Sequence, residues 1–262
     1  MIHIKNIDEF INEQRVNRAD RLESWIMLNG LVYNQETDRY DCDGDVEITK
    51  DVVDANSKLV LKFGVVKGDF DCRLNNLTSL EGAPQEVGGD FYCYKNNLTS
   101  LEGAPQKVGG NFDCNNNNLI TLEGAPQEVG GDFDCSGNKL TSLEGAPQTV
   151  GGDFICRINN LETLEGAPQE VGGDFDCGDN KLTSLEGAPQ EVGKDFDCIV
   201  NVLTSLEGAP QKVGGNFDCS YNKTLIYDEE HFYGLLPNVI GGELSAGNEC
   251  DYELARKYYN ER

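Results

Sequence analysis

Between Gly131 and Leu143 the chain reads Gly-Asp-Phe-Asp-Cys-Ser-Gly-Asn-Lys-Leu-Thr-Ser-Leu. Polar and apolar residues alternate over Asp132-Phe133-Asp134-Cys135, which predicts a short strand with Phe133 and Cys135 inward and Asp132 and Asp134 outward. Asn138 is expected to turn the chain inward, its amide satisfying backbone groups in a buried bend. Leu140 and Leu143 then return to the core. Gly145 allows a positive φ, and Pro147 fixes an extended, polyproline-like return leg before Val150 begins the next copy.

The same order recurs in constant register. Cys72, Cys93, Cys114, Cys135, Cys156, Cys177, Cys198 and Cys219 each follow the last by 21 residues, as do Asn75, Asn96, Asn117, Asn138, Asn159, Asn180, Asn201 and Asn222. A fixed period of this length predicts a solenoid, in which each coil buries its apolar face against its neighbours. Residues 66–222 hold eight such copies, whose stacked strands predict a parallel sheet about 35–40 Å long. The asparagines would form a ladder along it.

The flanks are less regular. Over 31–65 the period is blurred: Gly44-Asp45-Val46-Glu47-Ile48 echoes Gly-Asp-Phe-Asp-Cys, and Leu59-Val60-Leu61-Lys62-Phe63 leads into the first clean copy. Residues 1–30 predict a helical cap. Asn6 with Glu9 suggests a capping box, Ile4, Ile7, Phe10 and Ile11 recur at helical spacing, and a second amphipathic stretch carries Leu22, Trp25, Ile26 and Leu28 up to a stop at Gly30. After Asn222 the pattern breaks at Lys223-Thr224-Leu225. Residues 223–262 are expected to cap the last coil with Leu235, Leu236, Val239 and Ile240, and to close on a helix over 248–262 with Leu254, Tyr258 and Tyr259 on its apolar side.

The succession Phe-x-Cys-x-x-Asn-x-Leu-Thr-x-Leu followed by Gly-Ala-Pro resembles the leucine-rich repeat, with Phe and Cys in place of aliphatic strand residues. The short unit and the proline on its return leg resemble the short class found in bacterial effectors. The wording Leu-Thr-Ser-Leu-Glu-Gly-Ala-Pro-Gln-Glu-Val-Gly-Gly-Asp-Phe is similar to leucine-rich-repeat-like proteins of tailed bacteriophages. The resemblance spans about residues 45–223. It implies a curved body with the strands on the concave side, an extended convex side, and recognition through the concave face. Effectors of that class carry a separate enzymatic domain, and no segment here is long enough to be one.

Composition narrows the partners. A net charge of -25, from 46 acidic and 21 basic residues, argues against direct binding of nucleic acid or an anionic membrane. It favours a basic protein surface and permits weak divalent-cation binding. The N-terminus shows no signal-peptide pattern and no window reaches membrane-span length, so a cytoplasmic protein is expected. Ten cysteines would suggest disulfides in a short secreted chain, but eight of them share one repeat position. Equivalent side chains on parallel strands are poorly placed for disulfides, and none of the eight has the close spacing of zinc ligands. They read as buried apolar groups.

Two acidic columns flank the phenylalanines. Asp69, Asp90, Asp132, Asp153, Asp174 and Asp195 precede them, and Asp71, Asp113, Asp134, Asp176, Asp197 and Asp218 follow them. Side by side these carboxylates should raise one another's pKa and favour a counter-charge; a merely solvated, anti-aggregating face is the competing explanation. Identical pairs on every coil single out no catalytic site of the glycosidase kind, and His3 and His231 lie outside the array, so no catalytic residue and no cofactor is expected.

The copies disagree most at the two residues after each cysteine: Arg73-Leu74, Tyr94-Lys95, Asn115-Asn116, Ser136-Gly137, Arg157-Ile158, Gly178-Asp179, Ile199-Val200 and Ser220-Tyr221. Tyr92 and Ile155 also replace Asp in the second column. Tyr92 and Tyr94 should pair, and Ile155, Ile158, Ile199, Val200 and Val202 should form an apolar stripe beside Arg157. Such residues anchor protein interfaces. The expected partner-binding set is therefore Tyr92, Tyr94, Lys95, Ile155, Arg157, Ile158, Ile199, Val200 and Tyr221, with Asp132, Asp134, Asp153, Asp174, Asp176, Asp195 and Asp197 around them. The function expected is non-enzymatic protein recognition, including inhibition of a basic or nucleic-acid-binding host protein. A virion or scaffold spacer is the structural alternative, and a carbohydrate-processing or cation-dependent enzyme the third.

Overall fold

The structure is a computed structural model and describes the backbone of residues 7–222, Gly242 and Leu244–Ser245, with side chains from Arg18 to Asn222. It is a parallel β-solenoid with a 21-residue period. Phe133 pairs with Phe112 on one side and Phe154 on the other, so copies stack without a register shift. The alternation is as expected: Phe133 and Cys135 have no solvent exposure, while Asp132 and Asp134 stay partly exposed. Leu140 and Leu143 are also fully buried.

Each coil supplies two strands, one more than the expected single sheet requires. The Phe-Asp strands, such as Phe133–Asp134, form one ten-stranded sheet, and steps such as Glu128–Val129 form a second. A two-residue strand is too short to show alternation, so the second sheet arises from stacking alone. Val129 and its equivalents point into the core and Glu128 points out.

Between the two strands stands a Gly pair. A Cβ at Gly130 would lie 2.1 Å from the Gly109 carbonyl oxygen, and the same backbone contact recurs from Gly88 to Gly214, so adjacent coils leave no room for a side chain at this step. Gly145 adopts the expected positive φ, at +88°.

Inside, the phenylalanines form a continuous pile. From Phe70 to Phe217 the ring centroids lie 4.9 to 5.6 Å apart, with planes within 23° of parallel. Offset stacking of this kind adds to the roughly 1.5–3 kcal/mol gained by burying each such side chain. The asparagine ladder runs beside it. Asn138 Oδ1 accepts the Leu119 N–H at 3.0 Å, and its Nδ2 donates to the carbonyls of Cys114, Cys135 and Ser136.

At the N-terminal end one helix, α1 (Ile7–Leu28), replaces the two expected stretches. No Gly or Pro interrupts it. It stops at Gly30 (φ +62°), where the Leu31 N–H reaches Ile26 O and the Gly30 N–H reaches Met27 O. That pattern is a Schellman ending. Trp25 then meets Phe63 edge to face at 6.3 Å, at the head of the ring pile.

A hairpin follows, β1 (Val32–Asn34) antiparallel to β2 (Arg39–Cys42), then β3 (Val46–Glu47) and β4 (Phe63–Val66). Val46 pairs with Phe70, so Gly44 to Ile48 is the degenerate repeat expected, at a 24-residue spacing. Beyond Asn222, Leu244–Ser245 adds a tenth strand to the Phe-Asp sheet, opposite Phe217 and Asp218. Gly241-Gly242-Glu243-Leu244-Ser245 therefore echoes Gly-Gly-Asp-Phe-Asp, a signal absent from the reading of 223–262. The rest of that expected cap and its closing helix lie outside the described residues, as do Ile4 and Asn6.

Candidate functional site

The two Asp columns have different jobs. In the first, each carboxylate reaches along the stack: Asp132 Oδ1 accepts the Asp153 N–H, Asp153 accepts from Asp174, Asp174 from Asp195, and Asp195 from Asn216, at 2.7 to 2.9 Å. Asn111 does the same for Asp132, so the role needs an acceptor and no charge. Asp132, Asp153, Asp174 and Asp195 thus spend one oxygen on holding coils together.

In the second column each carboxylate caps the corner that follows. Asp134 Oδ1 accepts the Ser136 N–H, Asp176 accepts from Gly178, and Asp197 from Ile199, at 2.8 to 2.9 Å. These groups are partly sunk in the sheet. Burial pushes Asp113 and Asp197 up to about 6, and neighbouring carboxylates add to the rise. Burial also raises Asp71 and Asp176. The expected direction holds, but burial is the first cause and mutual repulsion a lesser one.

At the corner itself the second residue after each of the eight repeated cysteines, Cys72 to Cys219, has a left-handed backbone. φ lies between 51° and 64° at Leu74, Lys95, Asn116, Gly137, Ile158, Asp179, Val200 and Tyr221. Its N–H donates to the next coil, as Ile158 does to Gly178 O and Val200 to Ser220 O, both at 3.1 Å. The corner's backbone is therefore tied to the next coil. Gly, Asn and Asp tolerate this conformation; a β-branched residue there is strained. Ile158, Val200, Leu74 and Tyr221 hold it while between 42% and 65% exposed.

Tyr92 and Tyr94 pair edge to face, with centroids 6.3 Å apart. Arg73 lies within 6 Å of both rings and donates to the Tyr94 hydroxyl, and Lys95 stands 5.9 Å from the Tyr94 ring. The Tyr92 hydroxyl donates to Asp90, which pushes Tyr92 up to about 12. Arg157 extends from its corner to within 3.7 Å of Asp176. The apolar stripe is interrupted. Ile155 pairs in register with Asp176, and the intervening coil sets a buried Gly178 and an exposed Asp179 between Ile158 and Val200. Ile199 is only partly exposed and leans over Gly178. The structure thus yields an aromatic–cationic end, a carboxylate run, and exposed apolar points at Ile158, at Val200 and Val202, and at Tyr221.

A shallow groove of about 620 Å³ follows the other sheet, lined by the Val-Gly steps from Val108-Gly109 to Val192-Gly193 with Glu128, Glu170 and Lys212. None of the expected binding residues lines it. Among the described residues no group of three or more His, Cys, Asp or Glu is placed to hold a metal ion, and no helix is long and apolar enough to cross a membrane. Comparison with family models, curated proteins and solved structures finds no match.

The raised carboxylates make stability depend on pH. A carboxylate whose folded pKa exceeds its unfolded value of about 3.9–4 penalises the folded state above both values, and the penalty fades as pH falls through the folded pKa. Asp113 and Asp197 therefore raise the melting temperature as pH drops from neutrality through 6, and Asp71 and Asp176, also raised by burial, act in the same direction. Asp38, Asp41 and Asp54, held low by hydrogen bonds, oppose this in stronger acid. Thermal unfolding against pH should show a mildly acidic maximum. Asp113→Asn with Asp197→Asn keeps both corner acceptors and should flatten the rise; an unchanged profile would show that these two groups do not titrate as described.

Proposed function

We propose that the protein is a non-enzymatic, leucine-rich-repeat-like recognition module that binds a basic protein surface through its Phe-Asp sheet and the adjoining corners. One observation carries this reading: large side chains occupy exposed corners whose backbone suits Gly or Asn. Left-handed backbone costs an ordinary residue roughly 1–2 kcal/mol. Asn116 and Gly137 show that the stack accepts the relaxed residues. Stability alone would not select Ile158 and Val200, and strain of this kind points to use. The tied corner backbones also limit the ordering cost of association.

A partner cation set against Asp113 or Asp197 would stabilise carboxylates that burial now disfavours, which suits a basic surface. Tyr92, Tyr94 and Arg73 provide anchors of the type found at interface centres. The repeat wording similar to phage proteins extends the reading to a host-cell target in the cytoplasm, inhibited by being covered.

The test uses stability and binding together. Glycine at both Ile158 and Val200 removes about 1–2 kcal/mol of strain per site, but gives back about 0.5–1 kcal/mol in unfolded-chain entropy and roughly 1 kcal/mol of burial from side chains that are 49% and 42% exposed, so the terms nearly cancel. The double variant should melt close to the parent and lose the partner that the parent retains in affinity capture from lysate. Retention of the same partner would refute the assignment of these corners. A loss of about 3 kcal/mol or more, the entropy and burial terms without any relief, would refute the strain argument.

A further inference from the structure

We propose that β1 is an interface through which two copies of this chain pair, edge to edge and antiparallel, about a two-fold axis at Tyr33. β1 ends the Glu-Val sheet and, among the described residues, pairs only with β2. Tyr33 faces Tyr40, and the Tyr40 N–H turns away to Lys62 O at 2.8 Å. In an antiparallel ladder, opposed residues alternate between bonded and non-bonded pairs. Tyr33 and Tyr40 are therefore a non-bonded pair, and the Tyr33 N–H and C=O point out from the sheet edge. An antiparallel copy offers the same two groups in reverse, so one two-fold pair satisfies both.

Exposed apolar side chains stand in β1 and in the chain that leads into it. Leu28 is 86% exposed, Met27 81% and Val32 67%, all within six residues of chain. The edge is ordered: Asn34 Oδ1 accepts the Glu36 N–H, Asn34 Nδ2 donates to Asp41, and the Tyr33 hydroxyl donates to Asp38. An ordered, exposed, uncharged edge is a template for pairing.

Charge favours a second copy at this end of the array. Between residues 18 and 40, Arg18, Arg21 and Arg39 nearly balance Asp20, Glu23, Glu36 and Asp38, whereas the coils over residues 81–222 carry 7 basic and 23 acidic residues. Two copies meeting at this end keep their acidic coils apart, and salt screens what repulsion remains. The pairing is independent of the recognition reading above.

Sedimentation equilibrium of the full chain over a dilution series, in low and in high salt, tests it. Twice the mass of one chain is expected on concentration, more readily in high salt. Tyr33→Lys sets two ammonium groups opposite each other and should abolish the pair, as should Tyr33→Asp. An equimolar mixture of the two should restore the doubled mass. Leu28→Asp gives a second disruption should the Tyr33 variants fail to fold. A single-chain mass under all conditions overturns the proposal. So does a pair that survives these changes, or one not regained on mixing folded variants, which is also the outcome if β1 receives a strand from a different protein.

Discussion

Asn138→Ala is expected to destabilise the protein by about 3–5 kcal/mol, more than the loss of any one surface contact. Its carboxamide serves two coils. Oδ1 takes the Leu119 N–H from the preceding coil, and Nδ2 bridges the Cys114 and Cys135 carbonyls at 3.2 and 3.0 Å. Truncation leaves these groups buried without partners, at roughly 1–3 kcal/mol each before relaxation or entry of water. Asn138→Asp should be no milder, because the acceptor survives while a carboxylate is set against two carbonyl oxygens. Coils touch only their neighbours, so a defect at the middle also weakens coupling between the two halves of the stack. Urea unfolding followed by circular dichroism measures the loss. A change below about 1 kcal/mol would mean that the ladder is ornamental to stability, since that is the worth of a single ordinary hydrogen bond.

Much of this stack was legible in the sequence because each structural demand recurs every 21 residues. Phe133 and Cys135 inward, Asp132 and Asp134 outward, the Asn138 bend and the positive φ at Gly145 all follow from side-chain chemistry read locally. Three features did not. The Glu128–Val129 step is a strand only because coils stack; nothing within two residues reveals it. The first Asp column looks like the second, yet Asp132 holds the next coil while Asp134 caps its own corner. Asn111 and Asn216 were the available clue, since an amide can accept where a carboxylate does.

The third is the left-handed corner. Gly137 and Asn116 mark the column as special, but Ile158 and Val200 conceal it, being residues that sequence rules assign to extended backbone. The apolar stripe failed for a related reason. Listing Ile155, Ile158, Ile199, Val200 and Val202 together ignores the coil between copies five and seven, which sets Asp176 beside Ile155 and Asp179 between Ile158 and Val200. Position in the stack, and not similarity of side chain, decides which residues are neighbours. By the same logic Tyr92 and Tyr94 do meet, because they are two residues apart on one strand and corner of a single coil.

The recognition face depends on the chain's corners facing out while the thiols between them face in. From Cys72 to Cys219 the repeated thiols have no solvent exposure, and burial lifts Cys93, Cys135 and Cys177 well above the ordinary thiol range. Even Cys219, at the end of the column, is pushed up to about 12. Since the thiolate is the reacting species and each pKa unit is tenfold in its population, such a thiol near pH 8 reacts on the order of a thousandfold more slowly than a free one. Thiol titration of native against denatured protein reads this directly. The account predicts at most one fast equivalent in the native protein, from Cys250 outside the described residues, and ten after denaturation. Eight fast native equivalents would contradict it, and with it the outward corners on which the recognition face rests.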